Sequence, residues 1–488
     1  LFAGVSSFGF GGTNAHVVLT EAPSLPLSFD EEYLTYTETM AKPQPDILTI
    51  SAQSLSSLQR LITTYKETIR DSSLDKRLAD ICYSAQQRRT HHPYRVAVVG
   101  ETKQEIIEEM ERIQRNKEWR EDVKPKYTEP TIAFVFNGQG SQWQGMGKGL
   151  FRSNKVFRNA VQKCNRIFRK FADWSLIEEL FSANKNSRLS RTSVAQPMIF
   201  AIQIALVKAL SECGISPDAA VGHSLGEIAA YHVGGTLSLE DALLIIFERS
   251  RYMEMVKGKG KMAVVQLSFE EADEFIAPYR DQLSIAANNG PNSVMLSGAS
   301  VPLLGLLKDL ENKKVFYKVM DSDYAFHSMQ MESICNPFEE SLTAIRPKAS
   351  EIPVYSTVYG FRHPKAGLTS KYWRRNVRQP VCFQEALEQC FKDQYDAYIE
   401  IGPHQSLRVV HGLFVAEKRL PTKRHHANLC SSLIHCQVRA IPRLGERMKP
   451  LWYALFVQSG QEERVRYLID RHSHIHVDQM LIPKRKLL

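Results

Sequence analysis

Apolar residues along this chain recur with two different periods, and the segments alternate. From residue 45, ILTISA reads as a short strand, and SLSSLQRLITTYKETIR carries helical spacing behind a serine start. RVAVVGE is a second strand and KQEIIEEMERIQ a second helix, so a small α/β module runs to about Pro125. TIAFVFNGQGSQWQGMG then opens with the continuous apolar run of a strand buried on both faces, followed by a glycine-rich loop. VAQPMIFAIQIALVKALSECG predicts a long apolar helix closed by Gly214. The run AAV leads through GHSLGE into another helix, and LSLEDALLIIFERSRYM is an amphipathic helix beginning at Ser238. Between about 260 and 320 the pattern changes to short elements in the order β-α-β-β-α-β: MAVVQL, FEEADEFIAPYR, SIAAN, SVMLSG, PLLGLLKDLEN and KVFYKVM. Larger α/β elements then return, including DAYIEIGPHQSL.

The two ends differ from this. Residues 1 to 20 are glycine-rich and then strand-like, and EAPSLPLSF after them reads as a linker. Beyond about 415 the chain is basic, histidine-rich and weakly periodic. The fold class is therefore α/β, with a parallel-sheet core whose 260–320 insertion resembles a ferredoxin-like unit, preceded by the small α/β module.

Composition narrows the function classes. At 488 residues there is room for two to four compact units, and 43% hydrophobic and 24% charged residues suit an ordinary globular protein. No apolar run is expected to span a bilayer, and no signal peptide is visible, which points away from a membrane and toward the cytoplasm. The first residue is Leu, so the chain reads as a piece of something longer. Net charge is +9, but it is scattered, which favours an anionic substrate or an acidic carrier protein over nucleic acid. Eight dispersed cysteines without a C-x-x-C pair suggest reduced thiols. HHANLCSSLIHC gathers His425, His426, Cys430, His435 and Cys436, but the spacing matches no standard zinc pattern, so a plain linker is expected there in place of a metal site.

Chemistry concentrates around VGHSLGE. A serine between Gly222 and Gly226 at a strand-to-helix junction is a nucleophile-elbow pattern, which exposes the hydroxyl of Ser224 and aims a helix N-terminus at the reacting centre. A plain turn serine gives the same string. The serine needs a base, most often histidine. His327 in DYAFHSMQME follows the returning strand and could reach the elbow, although a lone histidine is commonly just a polar residue. His223 adjoins the serine, but its side chain should point away. An oxyanion needs backbone donors, which Leu225 and the loop near Gln139 could supply, unless NGQGSQ is only a packing loop. Arg249 in LLIIFERSRY could grip a substrate carboxylate if buried near the elbow, or be a solvated arginine if not.

Taken together the motifs resemble the acyltransferase domain of polyketide and fatty-acid synthases, the malonyl-CoA:acyl-carrier-protein transacylase family. FVFNGQGSQWQGMG, SVAQPMIFAIQIAL, GHSLGEIAAYHVGGTLSLEDALLIIFERS, AANNGPNSVMLSG, DYAFHS, YWRRNVRQPVCF and IEIGPH occur in the family's order across roughly 131–415. The resemblance implies a hydrolase-like parallel-sheet core with a ferredoxin-like insertion at about 260–320. It implies Ser224 as the acyl-accepting nucleophile and His327 as its base, oriented by a backbone carbonyl. It also implies oxyanion amides at Gln139 and Leu225, Arg249 on the free carboxylate of the extender unit, and Asn289 and His223 as supporting pocket residues. SSFGFGGTNAHVVL within 1–22 resembles the end of a ketosynthase, where His16 of NAHVV would assist catalysis, but the ketosynthase cysteine motif is absent from this chain. Residues 45–128 resemble the ketosynthase–acyltransferase linker domain, while 416–488 depart from the usual segment after an acyltransferase.

The implied reaction moves malonyl from malonyl-CoA to a phosphopantetheine carrier protein, with ketosynthase and other synthase domains as partners in the parent chain. Extender choice is read from Tyr324-Ala325-Phe326-His327, a hybrid of the HAFH and YASH patterns of malonyl and methylmalonyl enzymes. Phe326 and Leu225 favour malonyl, and Tyr324 leans toward methylmalonyl. A serine hydrolase of the thioesterase kind and an inactive synthase fragment remain the rival readings.

Overall fold

The computed structural model describes residues 2–8, 14–20, 46–71, 77–115, 130–183, 186–258, 260–364, 368–404, 406–407 and 433–436. They fall into two units divided after Pro45. The first is a hairpin, in which Phe2–Phe8 pairs antiparallel with Asn14–Thr20 and Ser6 stands opposite His16. The sequence suggested a strand only at its end. The segment FAGVSSF lacks strong strand formers at Gly4 and its serines, and it is the backbone ladder to a partner that holds it extended.

The second unit begins with the expected small module. Asp46–Ala52 pairs antiparallel with Tyr94–Gly100, and helices Leu55–Arg70, Leu78–Gln87 and Lys103–Arg115 bury Leu58, Ile62, Ile106 and Met110 against the strands. Ser54 caps the first helix by accepting from Ser57 N at 3.2 Å, as its serine start implied. The helix Leu78–Gln87 is an addition to the sequence reading. The expected boundary near Pro125 lies outside the described residues.

The core is a six-stranded sheet in the order Phe361–Arg362, Val354–Ser356, Ala219–Gly222, Ile132–Phe136, Ala397–Ile401, Leu433–Cys436. All neighbours are parallel except the first pair. The edge strand Leu433–Cys436 comes from the segment read as a tail outside the acyltransferase core. Four residues without flanking turn signals are too short for periodicity to register.

Helix Thr192–Glu212 fills the space beside this sheet and is buried nearly all round. By length and composition it could cross a membrane, with mean hydropathy 1.6, which corrects the expectation that no such run exists. Yet 89% of that window is inside the protein, so its apolarity is that of a core helix. It ends as anticipated: Gly214 turns left-handed at φ 78°, and Ile215 N donates back to Leu210 O at 3.0 Å.

The insertion has its expected element order, and its strands pair as Tyr317–Val319, Lys261–Val265, Ser293–Gly298, Leu283–Gly290, antiparallel throughout. In ferredoxin-like terms this is the order 4-1-3-2. A fifth strand, Val381–Cys382, joins parallel to Leu283–Gly290 and comes from the returning core chain. The insertion thus delivers the segment Tyr324–His327 from its last strand. Its sheet also pins the chain next to Gln379.

Candidate active site

Strand Ala219–Gly222 ends at the sheet's carboxyl edge and helix Gly226–Val233 begins four residues after Gly222. The turn is tight enough to explain both glycines. A Cβ on Gly222 would sit 2.2 Å from Gly226 C, and one on Gly226 would sit 2.3 Å from Phe136 O. Both obstacles are backbone atoms of core elements, so neither can yield. Ser224 sits at φ 54°, a left-handed conformation rare for serine and found at strained functional turns.

Its hydroxyl has two partners. Ser224 Oγ donates to His327 Nε2 at 2.9 Å and accepts from Arg249 Nη2 at 2.8 Å. His327 Nδ1 donates to the backbone carbonyl of Gln379 at 2.9 Å, which fixes the tautomer that leaves Nε2 free to accept. A carbonyl thus takes the place an Asp holds in a serine–histidine–aspartate triad. Burial first, and then the charge of Arg249, push the His327 imidazole down to about 3, so it is neutral and ready to accept a proton.

Arg249 is 1% exposed and touches no carboxylate among the described residues. Its Nη1 donates to Gln196 Oε1 at 2.7 Å and its Nε to Asn376 Oδ1 at 3.1 Å. Three neutral acceptors thus hold a buried cation beside the nucleophile. Burial pulls the guanidinium down to about 9, against the attraction of Glu227, and it stays charged at neutral pH. A buried guanidinium without a direct counter-ion is costly unless an anion joins it, and a carboxylate is the bidentate partner its shape fits.

The remaining expected residues collect around this centre. His223 Nε2 bonds Asn289 Oδ1 at 2.9 Å, and burial lowers its pKa. Leu225 is buried at the helix start, and Gln139 lies in the loop after strand Ile132–Phe136. Among the described residues, neither backbone N–H donates to a carbonyl of the chain. The Gln139 side chain is tied to Thr192 Oγ1 at 3.1 Å and to Gln196 Nε2 at 3.0 Å. The loop itself is anchored from below, where Asn137 Nδ2 donates to His404 O at 2.7 Å and Trp143 Nε1 to Pro403 O at 2.8 Å. Tyr324 and Phe326 stack at 4.9 Å between centroids, and both are buried.

The sequence reading missed Gln196, Glu227, Asn376 and Gln379. Gln196 and Glu227 are polar residues inside otherwise apolar helices, a signal that was available. Gln379 acts through its backbone and leaves no side-chain trace. Of the zinc candidates, His425, His426 and Cys430 lie outside the described residues, and His435 and Cys436 belong to the edge strand.

Comparison with known proteins identifies the family. Residues 133–419 match the acyl transferase domain family, more than half of the chain. The chain belongs to that family. Residues 46–110 match a CurL-like C-terminal region of polyketide synthases. Erythronolide synthase EryA2 of Saccharopolyspora erythraea is 35% identical over 405 residues, which is 82% of this chain and 11% of that protein. The highly reducing polyketide synthase sdnO of Sordaria araneosa is 34% identical, covering 83% of this chain and 14% of its own length. The acyltransferase domain from module 8 of the salinomycin polyketide synthase superposes with a TM-score of 0.69 at 29% identity, covering 76% of this chain and 89% of that one. The acyltransferase domain of ZmaA gives 0.70 at 27% identity, covering 81% and 89%. The chain therefore contains a polyketide-synthase-type acyltransferase, an α/β core with a ferredoxin-like insertion, and it spans about a tenth of the length of the first of these relatives.

Proposed function

We propose that this chain loads malonyl units from malonyl-CoA onto the phosphopantetheine thiol of an acyl carrier protein through a Ser224-linked acyl-enzyme. One observation carries the reading: the buried guanidinium of Arg249, held by neutral acceptors, lies 2.8 Å from a serine oxygen that also bonds a neutral histidine. In malonyl-CoA the free carboxylate is one methylene from the thioester carbonyl. A carboxylate paired with Arg249 therefore brings that carbonyl to Ser224 Oγ.

In the first half-reaction His327 Nε2 takes the serine proton as Oγ attacks the thioester carbon. The tetrahedral oxyanion is received by the N–H groups of Gln139 and Leu225 at the helix start. The Gln379 carbonyl stabilises the imidazolium. The carboxylate on Arg249 also offsets the positive charge that depresses His327, so the correct substrate strengthens its own base. CoA leaves as the thiol, taking the proton from His327. The carrier thiol then attacks the acyl-serine by the same steps in reverse, His327 accepting its proton and returning one to Ser224. One thioester replaces another, so neither metal nor bound cofactor is called for. A thioesterase shares the serine and histidine but has no use for the Arg249 seat.

Phe326, bulky where the methylmalonyl pattern has serine, and Leu225, where methylmalonyl enzymes often have glutamine, favour malonyl over methylmalonyl, while Tyr324 pulls the other way; one methyl is worth only about 1–3 kcal/mol. Ketosynthase and other synthase domains would act with this one in the parent protein, in the cytoplasm. The test incubates the chain with malonyl-CoA and a phosphopantetheinylated carrier protein. Malonyl-carrier as product supports the reading, and free malonate with unmodified carrier points to a hydrolase.

A further inference from the structure

Glu227 follows the elbow directly and is the one carboxylate within the buried network around Arg249 among the described residues. It is fully buried, yet each oxygen is provided for. Oε1 accepts from Thr357 N at 2.6 Å and from Tyr372 OH at 2.8 Å, and Oε2 accepts from Asn376 Nδ2 at 2.7 Å. All three partners donate. A protonated carboxyl could place its hydrogen only on the Tyr372 hydroxyl, so the N–H donors of Thr357 and Asn376 favour the anion, while burial works against them and pushes the carboxyl up to about 7. Its place in the first turn of helix Gly226–Val233 adds the favourable end of the helix dipole.

Asn376 is the bridge. Its Nδ2 donates to Glu227 Oε2 and also to Ser224 O at 3.1 Å, while its Oδ1 accepts from Arg249 Nε. The amide can present its oxygen to Arg249 only while its nitrogen is held on the other side. The anion and the cation are thus linked through one neutral amide instead of touching. Direct contact would neutralise the guanidinium and occupy the edge that faces the serine. A neutral spacer balances the buried charge and leaves Nη2 directed at the reacting centre.

We infer that Glu227, acting through Asn376, is the positioning residue that holds Arg249 charged and correctly turned for a carboxylated acyl group, and so sets the preference for carboxylated over plain acyl-CoA. This rests on the acyl-transfer reading above. A glutamine at 227 keeps the shape but has one acceptor oxygen where donors converge on two. Either Asn376 or the Thr357–Tyr372 pair then faces an amide nitrogen. The buried countercharge is lost as well.

The test uses the 488-residue chain and its Glu227→Gln and Asn376→Leu variants, with malonyl-CoA and acetyl-CoA as donors. Losing a hydrogen bond of this charged network should lower the malonyl:acetyl ratio of kcat/KM by about tenfold or more. The loss should fall more heavily on malonyl-CoA than on acetyl-CoA and should show in KM for malonyl-CoA, because only malonyl carries a carboxylate for Arg249 to hold. Because the two residues act along one path, the double variant should show no more than the Asn376→Leu effect. A general loosening of the fold would instead lower both donors together, and the ratio cancels any unfolded fraction. If Glu227→Gln fails to fold, Asn376→Leu alone reads the same ratio. Wild-type chain that loads malonyl, beside variants that keep its malonyl:acetyl ratio, overturns this inference alone. Wild-type chain that accepts no acyl group overturns the acyl-transfer reading and this inference with it.

Discussion

Replacing Arg249 by alanine tests the charge logic of the site most sharply. The side chain offers donors to Gln196, Asn376 and Ser224, all neutral, and none to a carboxylate among the described residues. A malonyl carboxylate would therefore form its buried ion pair here, away from water. Deleting one partner of such a pair costs about 2–5 kcal/mol. At 1.4 kcal/mol per decade, kcat/KM for malonyl-CoA should fall by roughly 30-fold to a few thousand-fold. Acetyl-CoA has no carboxylate to lose. For acetyl transfer the substitution removes one donor to Ser224 and also the positive charge that depresses His327, two effects of opposite sign. Its rate should change by less than about tenfold. The assay is steady-state transfer from each acyl-CoA to a carrier protein, taken as a ratio so that any unfolded enzyme cancels. Equal loss for both donors would refute the reasoning, because it would mean that Arg249 supports the fold or the serine and not the acyl carboxylate.

The other predictions concern the base, the elbow and the pocket. With burial and then the charge of Arg249 holding His327 down to about 3, the imidazole is almost wholly unprotonated near pH 6.5. Inactivation of Ser224 by a neutral sulfonyl fluoride should therefore show no acid limb near pH 6.5, the ordinary histidine value, and a midpoint there would contradict the buried, Arg249-facing histidine. Gly226→Ala places a methyl 2.3 Å from Phe136 O and 2.8 Å from Asn137 O. It should cost about 3 kcal/mol or more in urea unfolding, the top of the usual overpacking range. Phe326→Ser removes the ring stacked on Tyr324 and should raise the methylmalonyl:malonyl loading ratio by about tenfold or more, within what one methyl is worth.

Much of this is legible in the sequence. The β-α-β-β-α-β order between 260 and 320 was readable because each element is short, strongly periodic and separated by turn residues. Ser224 and its glycines were readable because a tight strand-to-helix turn admits few residue types. Less accessible was anything set by long-range pairing. Strand Leu433–Cys436 exists through its neighbour Ala397–Ile401, and Val381–Cys382 is two residues added to the edge of another sheet. The orienter of His327 is a main-chain carbonyl, which any residue at 379 would supply. Asn376 was quoted within YWRRNVRQP, but its role depends on helix Ser370–Arg378 bringing it between Ser224, Glu227 and Arg249, residues more than a hundred positions away.

The most direct measurement is the intact mass of the chain after brief exposure to malonyl-CoA, beside a Ser224→Ala control. The account predicts a single malonyl adduct on the wild-type chain, mapped to the peptide carrying Ser224, and none on the control. A wild-type chain that stays unmodified, or an adduct that persists in Ser224→Ala, would contradict it.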